Sequence, residues 1–584
     1  MIGSHLIQKQ KTERHMPSRR KRRDDITVLG MDTETLQGPP ITLQFYSEHI
    51  KRFSGCVFIG KRAPTTVFLN QLDKLPPGRY RMYGHNLEFD MLSLLWNVRT
   101  HLLGGDINLK IGRWSIKGRY SKPIYAIISD GERIIELVDS FLWFQTSLEK
   151  AGNIVCPDLP KLNRPAGLGE RLFKSTDTHF VEYAMRDAVV AYHLGLAIEK
   201  FHDELEIPST ISLASMAEAC FRINYMRGDI YQPPEHSWLV MSAASYHGGV
   251  NRVKPGAAPG WHTNVTALDL SSAYPDALDE FPNFGNSEGY HTYKGKPSVK
   301  SVPDLGIYCI SGTAAPCNWP ALFNHNFKPL LSRFSHQCVT GFELNVALAT
   351  HEVKLSSIRG FYYQDKSGYS PFSAYVQYFY KMKAEATDPV MRYMFKIMLN
   401  ALTGKFIQTS PAFTVADGQL VKVNRAGGLY QPFIASLTTG HTRSKMHPLE
   451  HRYKALHTAT DGIFAPGHHT GAAQKTLGAV VAEGHGDLAL FRNKLYILYG
   501  DEPTDDSYQS SVFDDRYILK CARHGFQGTV ANLEQMLVGK LRTYKVNKPI
   551  KLKTATRTGV DPNKFVLQSR TLRNIGEFKV YNHG

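Results

Sequence analysis

The sequence predicts a multidomain protein of mixed α/β and α+β type, and three observations support this. The chain has 584 residues, which corresponds to about four domains at roughly 150 residues each. Hydrophobic residues make up 42% and charged residues 21%, so the chain can bury sizeable cores. Short apolar, strand-like runs alternate with helical patterns from Ile26 to about Lys200, as in an α/β domain.

Cysteine usage, hydropathy and charge exclude several classes of protein. The seven Cys are scattered and form no Cys-x-x-Cys pair, which excludes a disulfide framework and a zinc ribbon and predicts a reducing compartment. There is no run of about 18 apolar residues and no apolar signal-peptide core, so we expect no membrane span and a cytoplasmic location, such as that of a bacterial host. The net charge of +17 favours nucleic acid as a partner over a basic protein without a polyanion.

Changes of pattern along the chain predict where the elements lie. Residues 1–24 are polar and basic and predict a disordered tail, and Ile26–Met31 predicts a buried strand that opens the first domain. A boundary is expected near residue 205, before a helix and a passage rich in Gly and Pro. Helical patterns cover about 371–387 and 389–405, and a polar insert at about 408–429 predicts a hairpin. The last 85 or so residues predict a small, separate, basic unit.

Four carboxylates in the first third form the first candidate site. Asp32 and Glu34 follow the apolar strand and would share one face, because side chains at i and i+2 of a strand point the same way. Asp90 lies among apolar residues, and Tyr183 and Asp187 share a helix face at i and i+4. Carboxylates this close require a cation, and two Mg²⁺ ions could activate a water against a phosphodiester, with Tyr183 orienting the water. The alternative is four unrelated capping or exposed carboxylates.

A second candidate site combines Asp269 with Asp461. The run 265–268 predicts a short strand that ends at Asp269, and the turn after it, from Leu270 onward, could hold a metal and a triphosphate. Tyr274 could close over a sugar and clash with a 2′-hydroxyl. Asp461-Gly462 is a hairpin signal that would bring Asp461 beside Asp269, where both would hold two Mg²⁺ ions. A buried strand and a plain turn are the alternatives.

The helical pattern from Met391 to Phe406 carries a candidate phosphate-binding face. Its members recur every four residues: Arg392, Lys396, Asn400 and Gly404. Residues at this spacing share one face of a helix, and Gly404 would let a base or another backbone approach closely. Lys381 and Lys383, on the preceding helix, could add positive charge. A solvated basic face is the alternative.

In order and local context these segments resemble the motifs of family B DNA polymerases, over nearly all of the chain from about residue 26. The exonuclease motifs would be Asp32-x-Glu34, Asn86-x-x-x-Asp90 and Tyr183-x-x-x-Asp187, and the polymerase motifs would be Asp269–Pro275, Lys396–Gly404 and Thr460-Asp461. The resemblance implies an RNase H-like 3′–5′ exonuclease domain followed by a right-hand polymerase of palm, fingers and thumb. It also implies two Mg²⁺ or Mn²⁺ ions per centre, with the Leu270 backbone among the ligands, and as partners primer-template DNA, single-stranded DNA and dNTPs.

Smaller features resemble the protein-primed branch of this family. They are Tyr246-x-Gly248-Gly249 as the linker motif, Thr146-Ser147-Leu148 as a contact to single-stranded DNA or terminal protein, Thr439–Arg443 as a DNA-binding motif, and Lys494-x-Tyr496 as the primer-strand contact. The resemblance implies a monomer that works with a separate priming protein.

The implied domains follow in chain order. They are a basic tail (1–24), an exonuclease domain (25–205), the first part of the palm (206–300), an insertion that contacts terminal protein (301–360), fingers (361–407), a short second insertion for strand displacement (408–430), the second part of the palm (431–500) and a thumb (501–584).

A strip of basic residues in the thumb would track DNA phosphates, with a solvated face as the alternative: Lys540, Arg542, Lys545, Lys548, Lys551, Lys553 and Arg557.

Two positions depart from the family pattern. Ala459 stands where the third motif usually has a second Asp, and Thr403 stands where the second motif usually has a Tyr beside the incoming base pair. Three functions therefore stay open. The first is an active polymerase with a proofreading exonuclease, the second is a polymerase-like DNA-binding exonuclease with an impaired synthetic centre, and the third is a structural replication factor with neither activity.

Overall fold

The architecture was analysed in a computed structural model, which describes most of the chain. The described residues are 7–8, 14–19, 25–36, 39–120, 123–168, 170–317, 319–330, 332–365, 368–416, 419–504, 507–539, 543–549, 565–571 and 579–583. None of the helices in these ranges combines the length and the hydropathy that crossing a bilayer requires.

The N-terminal segment contributes short strands to two sheets. Its described pieces include two short strands, β1 (Ile7–Gln8) and β2 (Arg14–His15). Strand β2 pairs with Ile230–Tyr231, and Arg14 forms an ion pair of 2.7 Å with Asp229. The prediction of a disordered tail is therefore wrong for Arg14 and His15, because a later segment offers them a strand partner and a counter-charge that the local sequence does not reveal.

The first domain is an eight-stranded mixed sheet with helices packed on it. Its strands are β3 (Thr27–Thr35), β4 (Pro40–Tyr46), β5 (Gly55–Phe58), β6 (Gly78–Gly84), β7 (Asp106–Ile111), β8 (Trp114–Arg119), β9 (Tyr125–Ser129) and β10 (Arg133–Asp139). Its helices are α1 (Pro64–Leu72), α2 (Leu87–Leu94), α3 (Phe141–Phe144), α4 (Leu148–Val155) and α5 (Thr178–Glu204). The strand order is β5-β4-β3-β6-β10-β9-β8-β7, with parallel pairing only where β6 meets β3 and β10.

A helical linker leads into the second half. It contains α6 (Leu213–Cys220), β11 (Ile230–Tyr231) and α7 (His236–Ser245). The segments that follow are β12 (Val250–Val253), β13 (Gly260–Leu270), α8 (Ala273–Asp279), β14 (Tyr290–Gly295), β15 (Gly306–Ala314), β16 (Ser332–Thr340), α9 (Gly341–Ala349) and β17 (Val353–Tyr363). Strands β14, β17, β15 and β16 form a separate four-stranded sheet in that order, so the predicted insertion (301–360) is a folded unit whose first strand begins at Tyr290.

The two predicted long helices and the hairpin are present. They are α10 (Pro371–Glu385), α11 (Pro389–Ala401) and the hairpin β18 (Thr409–Ala416) with β19 (Gln419–Ala426), against which β1 pairs in parallel. Helix α11 ends at Ala401, and a 3₁₀ turn follows at Thr403–Ile407. The prediction of one continuous helix from Met391 to Phe406 is therefore wrong at its C-terminal end.

The remaining elements complete a central sheet. They are α12 (Pro432–Arg452), β20 (His457–Thr460), β21 (Gly462–Pro466), β22 (Val480–Arg492), β23 (Leu495–Gly500), β24 (Tyr508–Gln509), β25 (Tyr517–Arg523), α13 (Val530–Leu537), β26 (Thr543–Pro549), β27 (Phe565–Thr571) and β28 (Lys579–Tyr581). The order in the sheet is β12-β20-β21-β13-β22-β23-β25-β24, and β28 pairs with β13. The predicted start of a separate C-terminal unit at 501 is therefore wrong, since β24 and β25 extend this sheet.

A single apolar core joins the first domain to the second half. It includes Trp143 and Phe144 of α3, Phe221 after α6, Phe379 of α10 and Met394 of α11. The ring of Tyr393 stacks on Phe144 with 5.7 Å between ring centroids, and its hydroxyl donates to the Phe144 carbonyl at 2.8 Å. The helices of the two halves are therefore held in fixed contact at this point.

Candidate active sites

The four carboxylates of the first site converge from three elements. Asp32 and Glu34 lie near the end of β3, Asp90 lies on α2 and Asp187 on α5. Strand β3 continues to Thr35, so the two carboxylates lie within the strand rather than beyond it. Both are half-buried while Thr33 and Thr35 are buried, which confirms that they share one face.

The close approach of helix α5 to strand β3 depends on Gly30. A Cβ atom at this position would lie 2.1 Å from the Ala188 carbonyl oxygen and 2.8 Å from Tyr192. No side chain fits in that space, so a glycine is required. The contact lies two residues from Asp32 and next to Asp187, and it therefore sets the separation of the two carboxylates.

Burial and mutual repulsion raise the pKa values of this cluster. Burial raises the pKa of Asp32, and the charges of Asp90, Asp187 and Glu34 raise it further. The pKa of Glu34 is raised to about 7, mainly by burial and then by Asp187. Burial also raises the pKa of Asp90 to about 8, although Thr33 Oγ1 donates to its Oδ1 at 2.8 Å. Such a cluster binds a proton or a cation more readily than separated carboxylates do.

One cation of the protein lies in this cluster, and the sequence analysis missed it. Lys161 Nζ is 3.1 Å from Asp187 Oδ2 and 6.0 Å from the centre of the Tyr183 ring. Lys161 comes from the connection between α4 and α5, and no motif spacing links it to the carboxylates. Tyr183 lies one helical turn before Asp187, as predicted.

The donor set of the first site fits divalent cations. Four carboxylates with raised pKa values supply hard oxygen ligands, which Mg²⁺ and Mn²⁺ prefer. A single lysine cannot neutralise all four charges. We therefore retain Asp32, Glu34, Asp90 and Asp187 as the residues that would hold the ions.

The predicted DNA contacts of the first domain lie at two helix starts. Asn86 precedes α2 in a left-handed conformation, with φ of 66°, and its side chain is exposed. The backbone N–H of Asn86 donates to Asp139 Oδ1 at 2.9 Å. Ser147 caps α4 by accepting from the Lys150 amide at 3.3 Å and is exposed, while Leu148 is half-buried. These positions leave the Asn86 and Ser147 side chains available to a ligand.

In the second site, Asp269 and Asp461 are brought together by strand pairing. Asp269 lies on β13 directly opposite Gly462 of β21, and Asp461 forms the turn before Gly462. The Leu270 amide donates to the Asp461 carbonyl at 2.9 Å. A Cβ at Gly462 would lie 2.8 Å from Asp269 Oδ1, so this glycine makes room for the carboxylate.

Glu483 and Lys520 also lie at this site, and the sequence motifs did not reveal them. Burial, Asp461 and then Glu483 raise the pKa of Asp269 to about 7, while Lys520 and Lys475 lower it. Lys520 on β25 forms an ion pair with Glu483 on β22. Asp269 and Asp461, with Glu483 nearby, supply the hard carboxylate oxygens that divalent cations such as Mg²⁺ prefer.

Tyr274 connects the second site to the predicted linker motif. Burial and the charge of Asp461 raise its pKa, and it receives a backbone hydrogen bond from Gly249. A Cβ at Gly249 would overlap the Thr460 side chain at 2.3 Å, whereas a Cβ at Gly248 would meet no atom within 4 Å. Gly249 therefore packs against Thr460, in the turn of the third motif. The charge of Tyr246 also raises the pKa of Tyr274.

Arg443 is an internal support rather than a surface residue. It is 3% exposed and forms two hydrogen bonds with Glu343, from Nε to Oε1 at 2.7 Å and from Nη2 to Oε2 at 3.0 Å. Its Nη1 donates to the carbonyl oxygens of His247 and Gly248. The predicted direct contact to DNA does not fit this position, since α9 and the linker occupy the guanidinium.

Four cations lie close together on α10, α11 and the connection between β21 and β22. Burial lowers the pKa of Lys383, and the charges of Lys475, Lys396 and Arg392 lower it further. Lys475, which comes from the connection between β21 and β22, was missed by the sequence analysis. The Tyr380 hydroxyl donates to the Lys475 carbonyl at 2.5 Å and thereby links this connection to α10.

Residues at the end of the second motif are placed differently from the prediction. Asn400 Nδ2 donates to the Lys396 carbonyl at 3.0 Å, and Thr403 Oγ1 donates to the Asn400 carbonyl at 2.7 Å. Gly404 lies in the 3₁₀ turn, so it does not continue the helix face of Arg392 and Lys396. It is exposed, and a Cβ there would meet no atom of the protein within 4 Å.

Lys494 lies in the turn between β22 and β23, and Tyr496 lies on β23. The Lys494 amide donates to His457 Nε2 at 3.2 Å, and its side chain is half-buried. The Tyr496 ring packs 4.6 Å from Phe464, and Asp269 is among the charges that raise its pKa after burial. For the predicted basic strip, the side chains of Lys545 and Lys548 and all of Lys540, Arg542, Lys551, Lys553 and Arg557 lie outside the described residues.

Residues 174–414 match the sequence family described as DNA polymerase type B, organellar and viral. No curated protein matches the chain. Among solved structures, the chain is similar to Phi29 DNA polymerase complexed with single-stranded DNA, with 14% identity and a TM-score of 0.68. It is also similar to the same polymerase complexed with primer-template DNA and incoming nucleotide substrates, with 14% identity and a TM-score of 0.66. Each comparison covers 94% of this chain and 100% of the solved chain.

At this identity the solved structures establish the fold alone, a multidomain fold of mixed α/β content that this chain shares over 94% of its length. The family match covers residues 174–414, and there the chain is similar to type B DNA polymerases of the organellar and viral class. The resemblance drawn from the motifs and the predicted fold class are both confirmed.

Proposed function

We propose that the chain is a template-directed DNA polymerase that also trims DNA 3′ ends through a separate exonuclease site. The observation that carries this proposal is the pairing of β13 with β21, which brings Asp269 beside Asp461 despite their distance in sequence. The independent carboxylate cluster of Asp32, Glu34 and Asp187 supports the second activity.

In the polymerase site, the residues of this chain bind and orient the substrates. Asp269 and Asp461 would hold two divalent cations, which when bound activate a primer 3′-hydroxyl and neutralise the triphosphate. Four neighbouring cations are suited to the phosphates of a dNTP: Lys383, Arg392, Lys396 and Lys475. Tyr274, fixed by Gly249, is positioned to exclude a 2′-hydroxyl. The 3′-hydroxyl displaces pyrophosphate from the α-phosphate.

In the exonuclease site, Asp32, Glu34, Asp90 and Asp187 would hold the same kind of ion pair. Tyr183 and Lys161 lie beside Asp187, where they can orient a water molecule and balance negative charge. Asn86 and Ser147 are exposed at nearby helix starts and are suited to a single-stranded 3′ end.

A primer-extension assay on three proteins tests the proposal. Asp269→Asn should lower dNTP incorporation by about 10²–10³-fold or more and leave 3′-end trimming unchanged, because only the polymerase site loses a ligand. Asp32→Ala should show the reverse pattern. Unchanged incorporation by Asp269→Asn would exclude the proposed polymerase site.

A second candidate is a DNA-binding exonuclease with an impaired synthetic centre, and Ala459 motivates it. This residue pairs with Asn251 of β12 and Gly462 of β21, two positions from Asp461, and contributes no carboxylate. If this candidate is correct, the wild-type protein trims DNA but does not extend it, and Ala459→Asp restores extension in Mg²⁺. Extension by the wild type at a rate that Ala459→Asp does not increase would favour the first candidate. Gly484→Ala adds a methyl group without charge and serves as the control.

We also propose protein priming, which rests on the resemblance of the linker motif and is supported by a separate sheet and a hairpin in the second half of the chain. The four-stranded sheet from Tyr290 to Tyr363 lies between Asp269 and Lys396 in the chain, and the hairpin from Thr409 to Ala426 lies between Gly404 and Asp461. A priming protein would supply the hydroxyl of a Ser, Thr or Tyr. Transfer of labelled dAMP to a protein co-purified with the chain, and its loss in Asp269→Asn, tests this step.

A further inference from the structure

One group of side chains outside both active sites has the ligand types of a transition-metal site. Cys317 lies on the connection between β15 and β16, Glu352 lies just before β17, and His451 lies in the last turn of α12. Each offers one ligand atom, and the three atoms lie within 4.8 Å of one another. Three chain segments that are remote in sequence therefore converge on one point.

The surrounding residues hold Glu352 in a defined orientation. The carboxylate is 9% exposed, and its Oε2 accepts from the Ala321 amide at 2.8 Å. His447 Nε2 lies 2.6 Å from Glu352 Oε1. Ligating carboxylates in metal sites are commonly fixed by such outer hydrogen bonds.

The two histidines of α12 add to this arrangement. His447 and His451 are one helical turn apart, and their ring centroids are 4.5 Å from each other. His451 Nε2 lies 3.2 Å from the Trp319 carbonyl, a contact that can fix the tautomer of a ligating ring. His447 Nδ1 is buried and has no hydrogen-bond partner among the described residues.

The charge balance distinguishes this group from a second one of similar composition. Asp276, Glu280 and His441 also converge, but Lys445 Nζ lies 2.6 Å from Asp276 and 3.3 Å from Glu280. Within the part of the chain that the structure describes, the ion-pair partner of Glu352 is His447, at 2.6 Å, and no lysine or arginine pairs with it. Arg252, which lies near Cys317, is paired with Glu450.

We propose that Cys317, Glu352 and His451 form a binding site for Zn²⁺ or a chemically similar divalent cation. Thiolate and imidazole ligands favour zinc over magnesium, and three protein ligands leave a fourth position for water. His451 is exposed and gives the ion a path from solvent. The bound ion would tie the insertion sheet to α12, the helix that also carries Arg443.

Cobalt substitution tests the site in the full-length protein. After treatment with a chelator, titration with Co²⁺ should produce the near-ultraviolet charge-transfer band of a thiolate ligand, which saturates at a single equivalent and disappears when Zn²⁺ is added. Cys317→Ser should lack the band. Cys338→Ser removes another half-buried cysteine of the same insertion and should retain it. His447→Ala, which removes the hydrogen bond to Glu352 and the ring contact with His451, should weaken Co²⁺ binding by about 10–100-fold.

Two results would overturn the proposal. One is the absence of a thiolate band in the wild-type protein, which needs no variant and so does not depend on how a variant folds. The other is a band that persists in Cys317→Ser or is lost in Cys338→Ser. The polymerase and exonuclease sites contain only oxygen ligands and cannot produce this band, so Asp269→Asn should keep it. A failure here therefore leaves the proposed DNA synthesis untouched.

Discussion

At the scale of single residues, each carboxylate site contains a lysine that no motif spacing revealed. Lys161 is 3.1 Å from Asp187, and Lys520 is paired with Glu483 beside Asp269. The carboxylates themselves could be predicted, since i and i+2 in a strand or i and i+4 in a helix are local relations. The lysines come from other segments and meet the carboxylates only through tertiary packing.

We predict that Lys161→Met lowers exonuclease activity by about 10²–10³-fold while polymerisation is unaffected. The reason is that Lys161 Nζ forms an ion pair with Asp187 and lies over the Tyr183 ring, so its loss leaves developing negative charge less well balanced. Trimming of a labelled single strand measures the effect. Lys150→Met, an exposed lysine on α4, is the matched control, and an equal loss in both variants would contradict a specific role.

At the scale of elements, the apolar runs and turn signals located most helices and strands, but their ends differ. Strand β3 runs on through Asp32 and Glu34 to Thr35, because β4 pairs with it along that length. Helix α11 ends at Ala401, and the chain tightens into a 3₁₀ turn that places Gly404 off the predicted face. Periodicity shows that a helix exists but does not show where tertiary contacts end it.

The contact of α5 with β3 leads to a second prediction. Gly30→Ala should lower stability by about 1–3 kcal/mol and reduce exonuclease activity, because its Cβ overlaps the Ala188 carbonyl and pushes α5 from β3. Thermal unfolding and the trimming assay measure both effects. Gly228→Ala adds a methyl group where no atom lies within 4 Å and should change neither. If Gly30→Ala unfolds at the same temperature as the wild type, then α5 can move away from β3 without cost, and the prediction is wrong.

A buried ionic network anchors α5 to β6 and gives a prediction about pH. Arg81 Nη1 lies 2.5 Å from Glu199 Oε1, and the Tyr83 hydroxyl donates to the same oxygen at 2.6 Å. Burial alone would raise the pKa of Glu199, but Arg81 and then His202 outweigh it and hold the pKa below its usual 4.5. A lowered carboxyl pKa stabilises the fold above pH 4.5, and this contribution is lost as the pH falls further.

Glu199→Gln should therefore destabilise the protein by about 3 kcal/mol near neutral pH and by less in acid, where the wild-type carboxylate is protonated. Thermal unfolding between pH 3 and pH 7, compared with the wild type, measures the difference. Glu204→Gln, at the exposed end of the same helix, should stay within about 0.5 kcal/mol. A difference that is independent of pH would mean that the charge of Glu199 does not contribute.

At the scale of the whole molecule, both sites are assembled from segments that lie far apart in sequence. The pairing of β13 with β21 joins Asp269 to Asp461, and α5 returns over β3 to bring Asp187 to Asp32. Motif order allowed these meetings to be expected by resemblance to a family. The pairing of β24 and β25 with the central sheet was not predicted, because nothing in that part of the sequence distinguishes an added sheet strand from a separate unit.

The net charge of +17 yields a prediction for the protein as a whole. If six to ten phosphates are contacted, affinity for DNA should fall by about 10³–10⁵-fold between 50 and 200 mM salt, because each neutralised phosphate releases counterions. Fluorescence anisotropy of a labelled primer-template in chelator, which prevents trimming, measures the dependence. Lys494→Ala should reduce the slope of log affinity against log salt by about 1 if its side chain contacts a phosphate. Lys200→Ala, an exposed lysine paired with Glu204 on α5, should leave the slope unchanged. A flat dependence in the wild type would show that phosphate neutralisation is not the main source of affinity.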